Sequence, residues 1–489
     1  MATTTDYLNK LIDQKNALAD NLVTKGVTAS HDETLETLVP KILEISSGRS
    51  GIAPIGEDGT PTGDVVVPEG VVKLSDKIFN SNSNVTSVVL PEGLSAINVS
   101  GFSGCSKLNK VTLPSTLTSI SSYCFRSCQA LKDINYTENT VITTLDNYAF
   151  YNCTVLSSIS ANKILKKVRS LGSNVFDSCY GLTEIETPFV WTDMFKNCRN
   201  LKKITILGLT SSGEFGSGAL NGCISLEEVI LPNNYQKLSN YLFRGCTNLS
   251  NFSIPSSVTS IGEYCFSNCS KLSNISVADD ANFAILRYAF ENCVSITNEI
   301  ATNIIKHASS LAGYIFKGCT GLTNLTIKAA GADMFRDCKN LTYLKITSVL
   351  TNKIENSICD SCSALETCYL PEGASEIGIT IFYNCTSLKT VYLPSSITKA
   401  TNNSLLNNNY NIFRGCTSLE DVQVGENWNM SLYLATSDNL TVDCMIAIFN
   451  NLKDLTGETA KTLTLGSTNL AKLTDEQKAI ATNKNWTLA

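Results

Sequence analysis

The clearest pattern in the chain is a short alternation of apolar and polar positions that recurs many times. Segments such as "FSGCSKLNKVTLP" and "FYNCTSLKTVYLP" follow the scheme aromatic-x-x-Cys-x-x-Leu-x-x-apolar-x-apolar-Pro. The last part alternates like a half-buried β-strand, and the proline ends the strand because it has no N–H group for ladder pairing. The pattern therefore predicts one short strand in every unit, with turns between the strands.

Cysteine occupies a fixed position of this unit in most repeats. Asn82 lies one unit before the first of these cysteines and is predicted to replace cysteine in an earlier unit. One unit cannot enclose a core, but stacked units can, so the thiols are interpreted as small buried residues of a solenoid. The register consists of Cys105, Cys128, Cys153, Cys179, Cys198, Cys223, Cys246, Cys269, Cys293, Cys319, Cys338, Cys362, Cys385 and Cys416.

The cysteine spacing also contains a longer period. The shortest step of the register, from Cys179 to Cys198, occurs again from Cys319 to Cys338, and the steps around the two are nearly the same. A block of six units therefore occurs twice, at an offset of roughly 140 residues. "FKNCRNLKKITI" in 195–206 corresponds to "FRDCKNLTYLKI" in 335–346. A scaffold lengthened by duplication favours an extended binding surface over a single catalytic pocket.

These units resemble the BspA-type leucine-rich repeats of bacterial and protist surface proteins. The segments "LPSTLTSISSYCFRSCQALKDI" and "IPSSVTSIGEYCFSNCSKLSNI" carry the resemblance, which covers about residues 67–436. It implies a leucine-rich-repeat solenoid of about 15 coils, with short parallel strands, one per coil, joined by turns and short helices. It also implies an adhesion or protein-recognition module without catalytic activity. Leu220 and Cys359 depart from the pattern, because they occupy the phenylalanine position.

The start of the chain differs from the repeat. Residues 1–47 are predicted to form a small α-helical module for attachment or oligomerisation. A first amphipathic helix is predicted over 5–24, ended by Gly26. A second is predicted over 32–45, where "SHDE" forms a capping box and Pro40 kinks the helix or marks its first turn.

The segments that flank the repeat are a linker and a cap. Residues 48–66 are rich in glycine and proline and are predicted to be a linker. Residues 437–489 are predicted to form an α/β cap that covers the last core layer of the solenoid. Within it, "TLTLG" is typical of a strand, and Thr474 with Gln477 begins a helix with a capping box.

The opening "YLNKLIDQKNALADNLVTKGV" resembles N-terminal modules of phage and prophage tail proteins, in which such a helix precedes a variable receptor-binding region. The ending "KTLTLGSTNLAKLTDEQKAIATNKNWTLA" is similar to the terminal segment of repeat proteins from such elements. The resemblance implies docking onto phage tail or baseplate proteins and favours a homo-oligomer such as a trimer. Lys15 weighs against the oligomer, because it interrupts the apolar positions of the helix.

Composition narrows the classes of function. The 489 residues carry a net charge of −6 and only 17% are charged, which gives no electrostatic reason to bind nucleic acid or an anionic membrane. No apolar run approaches the roughly 20 residues of a membrane-spanning helix. The opening "MATTTDYLNKLIDQKN" lacks the basic start and apolar stretch of a secretory signal. We therefore expect the protein to stay where it is made or to leave by a route that needs no signal peptide.

Candidate catalytic residues are few. The chain has two histidines, His31 and His307, and contains no nucleophile elbow, phosphate loop, dinucleotide fingerprint or zinc-protease motif. Cys359 and Cys362 form a C-x-x-C pair, a spacing found in zinc and redox sites, but no second pair completes four ligands. The two cysteines are interpreted as core residues, and neither a cofactor nor a metal is expected.

Two surfaces are candidates for ligand binding. The alternation places Tyr343, Tyr369 and Tyr392 at outward positions of three adjacent coils, with Lys345 on the same face. Tyrosine offers a large contact area at low entropic cost, although it is also an ordinary strand residue. The insertion 395–411 lengthens one coil and is expected to protrude; binding and simple tolerance of insertions explain it equally well. Its candidate contact residues are Asn407, Asn408, Asn409 and Tyr410.

Three functional hypotheses follow. The first is a tail-associated receptor-binding protein of a phage or prophage, located in the virion, which contacts a protein or glycan receptor on a bacterial cell. The second is a bacterial cell-surface adhesin with the same repeat, exported by another route. The third is a glycan depolymerase, which is disfavoured because the sequence shows no pair of carboxylates placed for glycoside hydrolysis.

Overall fold

The computed structural model describes residues 4–24, 30–32, 34, 61–136, 139–210, 213–407 and 409–489. These residues belong to two compact units, Met1–Pro232 and Asn233–Ala489. Several predicted features lie wholly or mostly outside the described residues: Gly26, Pro40, Asn408, the second helix over 32–45 and the linker over 48–60.

The first unit starts with helix α1 (Thr4–Thr24), which confirms the helix predicted over 5–24. A second helix, α2 (Ser158–Leu165), lies within the repeat. The other elements are short strands: β1 (Gly63–Val66), β2 (Val85–Val89), β3 (Ala96–Ile97), β4 (Lys110–Leu113), β5 (Ser119–Ile120), β6 (Asp133–Tyr136), β7 (Thr144–Leu145), β8 (Ser170–Leu171), β9 (Glu184–Thr187), β10 (Lys203–Ile206) and β11 (Glu228–Ile230).

Every strand pair of the first unit is parallel, as the repeat predicts. The longer strands form a sheet in the order β1-β2-β4-β6 and, beyond α2, a second stretch in the order β11-β10-β9. Two-residue strands form another sheet in the order β3-β5-β7-β8. Strand β1 begins at Gly63, inside the segment 48–66 predicted as linker, so the repeat begins earlier than residue 67.

The described residues of the second unit form four helices, α3 (Asn298–Lys306), α4 (Val442–Asn451), α5 (Ser467–Leu470) and α6 (Asp475–Thr482), and a 3₁₀ turn at Thr401–Asn403. Its first strands are β12 (Lys237–Leu238), β13 (Asn251–Ile254), β14 (Ser260–Ile261), β15 (Asn274–Val277), β16 (Phe283–Ile285), β17 (Ala308–Leu311), β18 (Asn324–Ile327), β19 (Tyr343–Ile346) and β20 (Lys353–Ile354). The remaining strands are β21 (Thr367–Tyr369), β22 (Glu376–Ile377), β23 (Thr390–Leu393), β24 (Lys399–Ala400), β25 (Asp421–Val424), β26 (Leu432–Tyr433), β27 (Lys461–Thr464) and β28 (Trp486–Leu488).

The second unit has the same arrangement of sheets. Its longer strands pair as β13-β15 and as β18-β19-β21-β23-β25, and its shorter strands as β12-β14-β16-β17 and β20-β22-β24. The cap adds a parallel sheet in the order β26-β27-β28. The predicted parallel strand is confirmed except in the two coils where α2 and α3 take its place, and the structure adds a second, very short strand that the sequence pattern did not reveal.

In most coils the phenylalanine packs on the phenylalanine of the next coil, and the row is interrupted where Leu220 and Cys359 take its place. In the first unit the rings of Phe102, Phe125 and Phe150 follow one another at centroid separations of 5.4 Å and 5.3 Å. In the second unit Phe266 and Phe290 stack at 5.3 Å. Each ring is fully buried, which removes enough apolar area from water to stabilise the fold by about 2–3 kcal/mol per ring.

The turn that carries this phenylalanine has an unusual backbone. Tyr123 and Ser127, two positions before and two positions after Phe125, have φ values of 60° and 58°, and most coils repeat this pair of left-handed residues. The N–H of Tyr123 donates to the carbonyl of Asn147 at 2.9 Å, and that of Ser127 to the carbonyl of Tyr151 at 2.7 Å. The left-handed residues thus direct backbone N–H groups to the next coil and satisfy them there.

The cysteine of each coil donates its thiol hydrogen to the preceding coil. The Sγ of Cys128 lies 3.0 Å from the carbonyl oxygen of Phe102, which also accepts the backbone N–H of Cys105 at 3.1 Å. In the second unit the Sγ of Cys293 lies 3.0 Å from the oxygen of Phe266. All nineteen cysteines are buried and free. The interpretation as small core residues is confirmed, and the thiol also satisfies the second lone pair of a buried carbonyl.

One coil of the first unit has a helix where its neighbours have a long strand. Helix α2 lies between β6 and β9 in the stack of coils. Its side chains form hydrogen bonds with the unpaired backbone groups of both strands. The hydroxyl of Ser160 accepts the N–H of Ile134 at 3.1 Å. Asn162 accepts the N–H of Glu186 at 2.9 Å and donates to the carbonyl of Glu184 at 3.0 Å. Side chains of the helix therefore replace the missing ladder partners.

The predicted C-terminal cap is present. Helix α4 lies on β25, the last strand of the long sheet, where the Sγ of Cys444 accepts the N–H of Val422 at 3.1 Å. The capping box predicted for Thr474 and Gln477 begins α6, with both reciprocal hydrogen bonds formed. The predicted strand in "TLTLG" is β27. The cap thereby covers an edge that would otherwise expose unpaired backbone groups.

Candidate recognition surface

The outward face of the five-stranded sheet in the second unit carries the predicted tyrosines. In β23 the side chains of Val391 and Leu393 are buried, whereas Tyr392 between them is half-exposed. The strand register places Lys345 beside Tyr369 and Tyr369 beside Tyr392. The predicted alternation is thus confirmed, and three of the four predicted residues form one row across adjacent strands.

The fourth predicted residue, Tyr343, joins this row diagonally. Its ring centroid lies 6.0 Å from that of Tyr369, with the ring planes tilted by 51°. The ammonium of Lys345 lies 6.0 Å from the centroid of Tyr369 on the same surface. The structure therefore brings Tyr343, Lys345, Tyr369 and Tyr392 together, and we call these four residues the tyrosine patch.

A carboxylate from a neighbouring turn holds Tyr392 in place. The hydroxyl of Tyr392 donates to Oε1 of Glu372 at 2.5 Å, and this oxygen also accepts the backbone N–H of Ser395 at 3.3 Å. Partial burial and the hydrogen bond to this carboxylate raise the pKa of Tyr392 to about 12. The hydroxyl therefore stays protonated at neutral pH, and the ring keeps one orientation toward solvent.

The asparagine-rich insertion is anchored instead of fully protruding. Leu405, in its middle, is 1% exposed, so part of the insertion adds to the core. Asn407 and Asn409 are exposed, and Tyr410 is 46% exposed. The insertion contains the short strand β24, which pairs with β22, whereas the tyrosine patch lies on the long strands. The two candidate surfaces are therefore parts of different sheets.

A shallow cleft lies beside the exposed end of the insertion. Its volume is about 380 Å³, and it is lined by Asn407, Asn409, Arg414 and Tyr433 among others. The guanidinium of Arg414 donates to the carbonyl of Asn409 at 3.4 Å, which restrains this side of the cleft. The cleft is polar and open, a form that suits a weak contact with a hydroxylated or peptide partner.

A second aromatic row was not identified by the sequence reasoning. Tyr241, Tyr264, Tyr288 and Tyr314 stack in parallel, with successive ring centroids 5.2, 4.6 and 4.5 Å apart. We call them the tyrosine stack. All four have φ between 54° and 63°, a conformation that costs a bulky L-residue free energy. The signal was present as tyrosine two positions before the repeat phenylalanine in "NYLF", "EYCF", "RYAF" and "GYIF".

Cations lie against the tyrosine stack. The guanidinium of Arg244 is 5.5 Å from the ring centroid of Tyr264, and that of Arg287 is 5.8 Å from the ring of Tyr314. Partial burial raises the pKa of Tyr264 and of Tyr314 above the ordinary value. The stack thus stabilises its strained backbone through ring–ring and cation–ring contacts.

The cysteines offer little redox or metal chemistry. Burial raises the pKa of the Cys338 and Cys385 thiols well above the ordinary value, so the reactive thiolate is disfavoured. Cys359 and Cys362 are both buried, and the Sγ of Cys362 donates to the carbonyl of Phe335 at 3.0 Å. Within the described parts of the chain, no three histidine, cysteine, aspartate or glutamate side chains converge as metal ligands.

Together, the parallel coils, the buried leucine and phenylalanine rows and the outward strand faces define a leucine-rich-repeat protein. The BspA type leucine-rich repeat region matches this sequence in six copies, over residues 72–194, 189–319 and 283–420. The chain belongs to the BspA-type leucine-rich repeat family. The match indicates a family of repeat scaffolds and points to no catalytic family.

Solved structures of bacterial repeat proteins are similar to this chain. A leucine-rich repeat protein from Bacteroides ovatus is 23% identical, with 70% of this chain and 87% of that chain covered and a TM-score of 0.54. A leucine rich cell surface protein from Faecalibacterium prausnitzii is 20% identical, with 76% and 92% covered and a TM-score of 0.39. No curated protein matches the sequence. Of the helices that the structure describes, none combines the length and apolar character required to span a membrane.

Proposed function

We propose that this protein is a non-enzymatic recognition protein that contacts a bacterial cell-surface receptor through the tyrosine patch. The observation that carries the proposal is the contact between Tyr343 and Tyr369, together with the row formed by Lys345, Tyr369 and Tyr392. These side chains are at least partly exposed and belong to neighbouring rigid strands. Aromatic rings that lose little conformational entropy on binding are typical of recognition surfaces.

The particular role that we propose is host attachment by a phage or prophage particle. In this role the N-terminal module docks onto tail or baseplate proteins, and the repeats face the receptor, which is a protein or a glycan. The sequence of the first helix supports this role. The side chain of Lys15, which interrupts its apolar positions, donates to the carbonyl of His31 within the same module. Because this contact engages the ammonium of Lys15, the apolar positions of the helix stay compatible with a homo-oligomer such as a trimer. In such an oligomer, linked weak binding sites gain avidity.

A second candidate role is adhesion at the surface of a bacterium. The BspA-type family supports this role, because its members are typically bacterial cell-surface proteins. Electron microscopy with an antibody against the repeats separates the two roles. Labelled tail tips support the virion role, whereas labelled cell envelopes without labelled particles support the adhesin.

The test of the recognition surface is the variant Tyr343→Ser, Tyr369→Ser, Tyr392→Ser. We expect attachment to bacterial cells to be abolished, while the free energy of unfolding falls by about 1 kcal/mol per half-buried ring or less. The matched control is Tyr241→Ser, Tyr264→Ser, Tyr288→Ser, which removes three tyrosines of the same unit from the tyrosine stack. Attachment that survives in the patch variant, or disappears equally in the control, rejects the tyrosine patch.

A further inference from the structure

The outer surface of the first unit contains a groove on both sides of the side chain of Lys163, here called the Lys163 groove. A cavity of about 540 Å³ lies on the side of Asn109 and Asn135, and one of about 360 Å³ lies on the side of Tyr136 and Thr140. Lys163 lines both cavities. It belongs to α2, which takes the place of a long strand and opens the surface next to β6.

The charge of this groove is opposite to that of the whole chain. Its described charged residues are five lysines and one acid, whereas the complete chain has a net charge of −6. The acid is Asp133, whose carboxylate accepts the hydroxyl of Ser157 at 3.4 Å. Like charges concentrated in a concave surface raise the local concentration of a counter-charged ligand. The lysines are Lys110, Lys132, Lys163, Lys166 and Lys167.

A tyrosine hydroxyl in the same groove has no partner among the described residues. The ammonium of Lys163 lies 4.1 Å from the ring centroid of Tyr136 and donates to the carbonyl of Tyr136 at 3.2 Å. The hydroxyl of Tyr136 is buried and makes no hydrogen bond to any part of the chain that the structure describes. Burial raises its pKa above the ordinary value, so it remains a donor. Because buried polar groups are nearly always paired, such a donor in a basic groove indicates a missing acceptor.

The second copy of the duplicated block shows that the scaffold does not require these residues. At the equivalent positions of that copy, Asn303 stands for Lys163, His307 for Lys167 and Val277 for Tyr136. In that copy His307 is buried and its Nδ1 lies 2.9 Å from the carbonyl of Asn303. None of these three residues is a lysine and one of them, His307, is buried, so the basic character of the first copy needs a separate explanation.

We propose that the Lys163 groove binds an anionic glycan, with Lys163, Lys166 and Lys167 contacting its phosphate or carboxylate groups and the hydroxyl of Tyr136 donating to one of their oxygens. Asn109 and Asn135 line the other cavity and suit sugar hydroxyls, which both donate and accept. A single-stranded nucleic acid fits less well, because Lys163 already covers the ring of Tyr136, the face on which a base would stack. This inference does not depend on the tyrosine patch.

The experiment measures binding of the full chain to polygalacturonate, to a phosphorylated dextran, to neutral dextran and to oligothymidylate. We expect one or both charged glycans to bind, neutral dextran not to bind, and binding to weaken as salt rises. If polygalacturonate alone binds, the anionic group that the groove recognises is a carboxylate. If the phosphorylated dextran alone binds, that group is a phosphate. No binding by either charged glycan overturns the proposal. Oligothymidylate that binds as tightly as the glycans and competes with them also overturns it.

The key variant is Lys163→Asn with Lys167→His, which introduces the residues of the second copy and should therefore fold. We expect the affinity for the charged glycan to fall at least tenfold, with an unchanged midpoint of thermal unfolding. The matched control, Lys73→Asn with Lys271→His, removes two exposed lysines outside the groove and should leave the affinity within twofold. Equal losses in both variants mean that net charge alone attracts the glycan, which contradicts a defined site.

A second variant, Tyr136→Phe, removes only the hydroxyl. We expect the affinity for the charged glycan to fall about tenfold or more, as for the loss of one hydrogen bond to a charged group. Removing a buried hydroxyl without a partner should leave the thermal midpoint unchanged or raise it. Unchanged affinity for the glycan overturns the role of this hydroxyl and, with it, the explanation of its missing partner.

Discussion

The two copies of the six-coil block have the same interior and different surfaces. Both have stacked phenylalanines, thiols that donate to phenylalanine carbonyls, one coil with a helix and one unusually short coil. On the outward strand faces, however, the first copy has an ion pair of 2.8 Å between Lys203 and Glu228, and Ile230 lies two residues after Glu228 on the same strand. The second copy has Tyr343 and Tyr369 where Lys203 and Ile230 stand.

The short coil shows the same contrast. "PFVWTDMF" in the first copy corresponds to "KAAGADMF" in the second, so Trp191 is replaced by Gly331. Around Gly331 the second unit has a groove of about 470 Å³, bordered by Leu311 and Ile354. The stacking of identical positions restricts the interior, because each buried residue must fit two neighbouring coils. An outward residue is restricted only by solvent and a partner, so it can diverge.

The largest expected effect is alkaline unfolding of both copies. Burial raises the pKa of thiols such as Cys128 and Cys293 well above the ordinary value of free cysteine. Above the ordinary thiol pKa the unfolded chain binds fewer protons than the folded chain, so the free energy of unfolding falls as pH rises, and it is unaffected below that pKa. Each thiol whose pKa is raised in this way contributes a slope of about 1.4 kcal/mol per pH unit, so we expect complete unfolding by about pH 11.

Circular dichroism and thiolate absorbance, recorded together during an alkaline titration, check this prediction. The two signals should change together. Thiolate absorbance that develops while the circular dichroism spectrum stays native would mean that the register thiols ionise in the folded chain, which is incompatible with their burial.

The next largest effect concerns the shared interior. Phe125 and Phe266 occupy equivalent positions of the two copies. Replacing either by alanine removes a fully buried ring that stacks on the phenylalanines of both neighbouring coils. We expect each substitution to lower the free energy of unfolding by about 3–5 kcal/mol, measured by urea denaturation. Ile159→Ala, at a side chain that is 80% exposed, is the control and should change it by less than about 0.5 kcal/mol. Clearly unequal losses of unfolding free energy at the two phenylalanines would show that the interiors of the two copies are not equivalent.

A smaller effect should distinguish the outward surfaces. Tyr343→Lys with Tyr369→Ile gives the second copy the residues of the first. We expect the affinity for bacterial cells to fall at least a hundredfold, or about 2.7 kcal/mol, with urea denaturation nearly unchanged, because the first copy accommodates the same residues. The control is Lys203→Tyr with Ile230→Tyr in the first copy, which should not reduce attachment. Full attachment by the second-copy variant would show that the divergence of the copies is unrelated to binding.

The smallest effect tests the thiol hydrogen bond. Cys153→Ala and Cys293→Ala each remove the donor to a buried phenylalanine carbonyl, at 3.0 Å in both copies. We expect the free energy of unfolding to fall by about 1–2 kcal/mol in each, measured by urea denaturation. The serine variants at the same positions retain a donor and should lose less than the alanine variants. Serine variants that lose as much as alanine would assign the cysteine to packing alone.

Much of the fold could be predicted because it repeats along the chain. The alternation around Tyr392 identified the outward face, the spacing of the cysteines identified the duplication, and Thr474 with Gln477 identified the helix of the cap. The insertion was predicted less well: Leu405 anchors it, because one apolar side chain within a polar segment finds room in the core. Nothing in the local pattern marks such an anchor.

The coil, its register, its buried rows and its two related blocks all follow from the order of residues along the chain, because identical positions one coil apart must bury the same kind of side chain. Which groups of adjacent coils touch depends on how the folded coils pack. The hydrogen bond from Cys128 to Phe102, the parallel rings of Tyr264 and Tyr288 and the basic groove around Lys163 all join residues that are far apart along the chain. Their geometry depends on the sign of φ in the turns and on where a helix replaces a strand, and both are set by packing between coils.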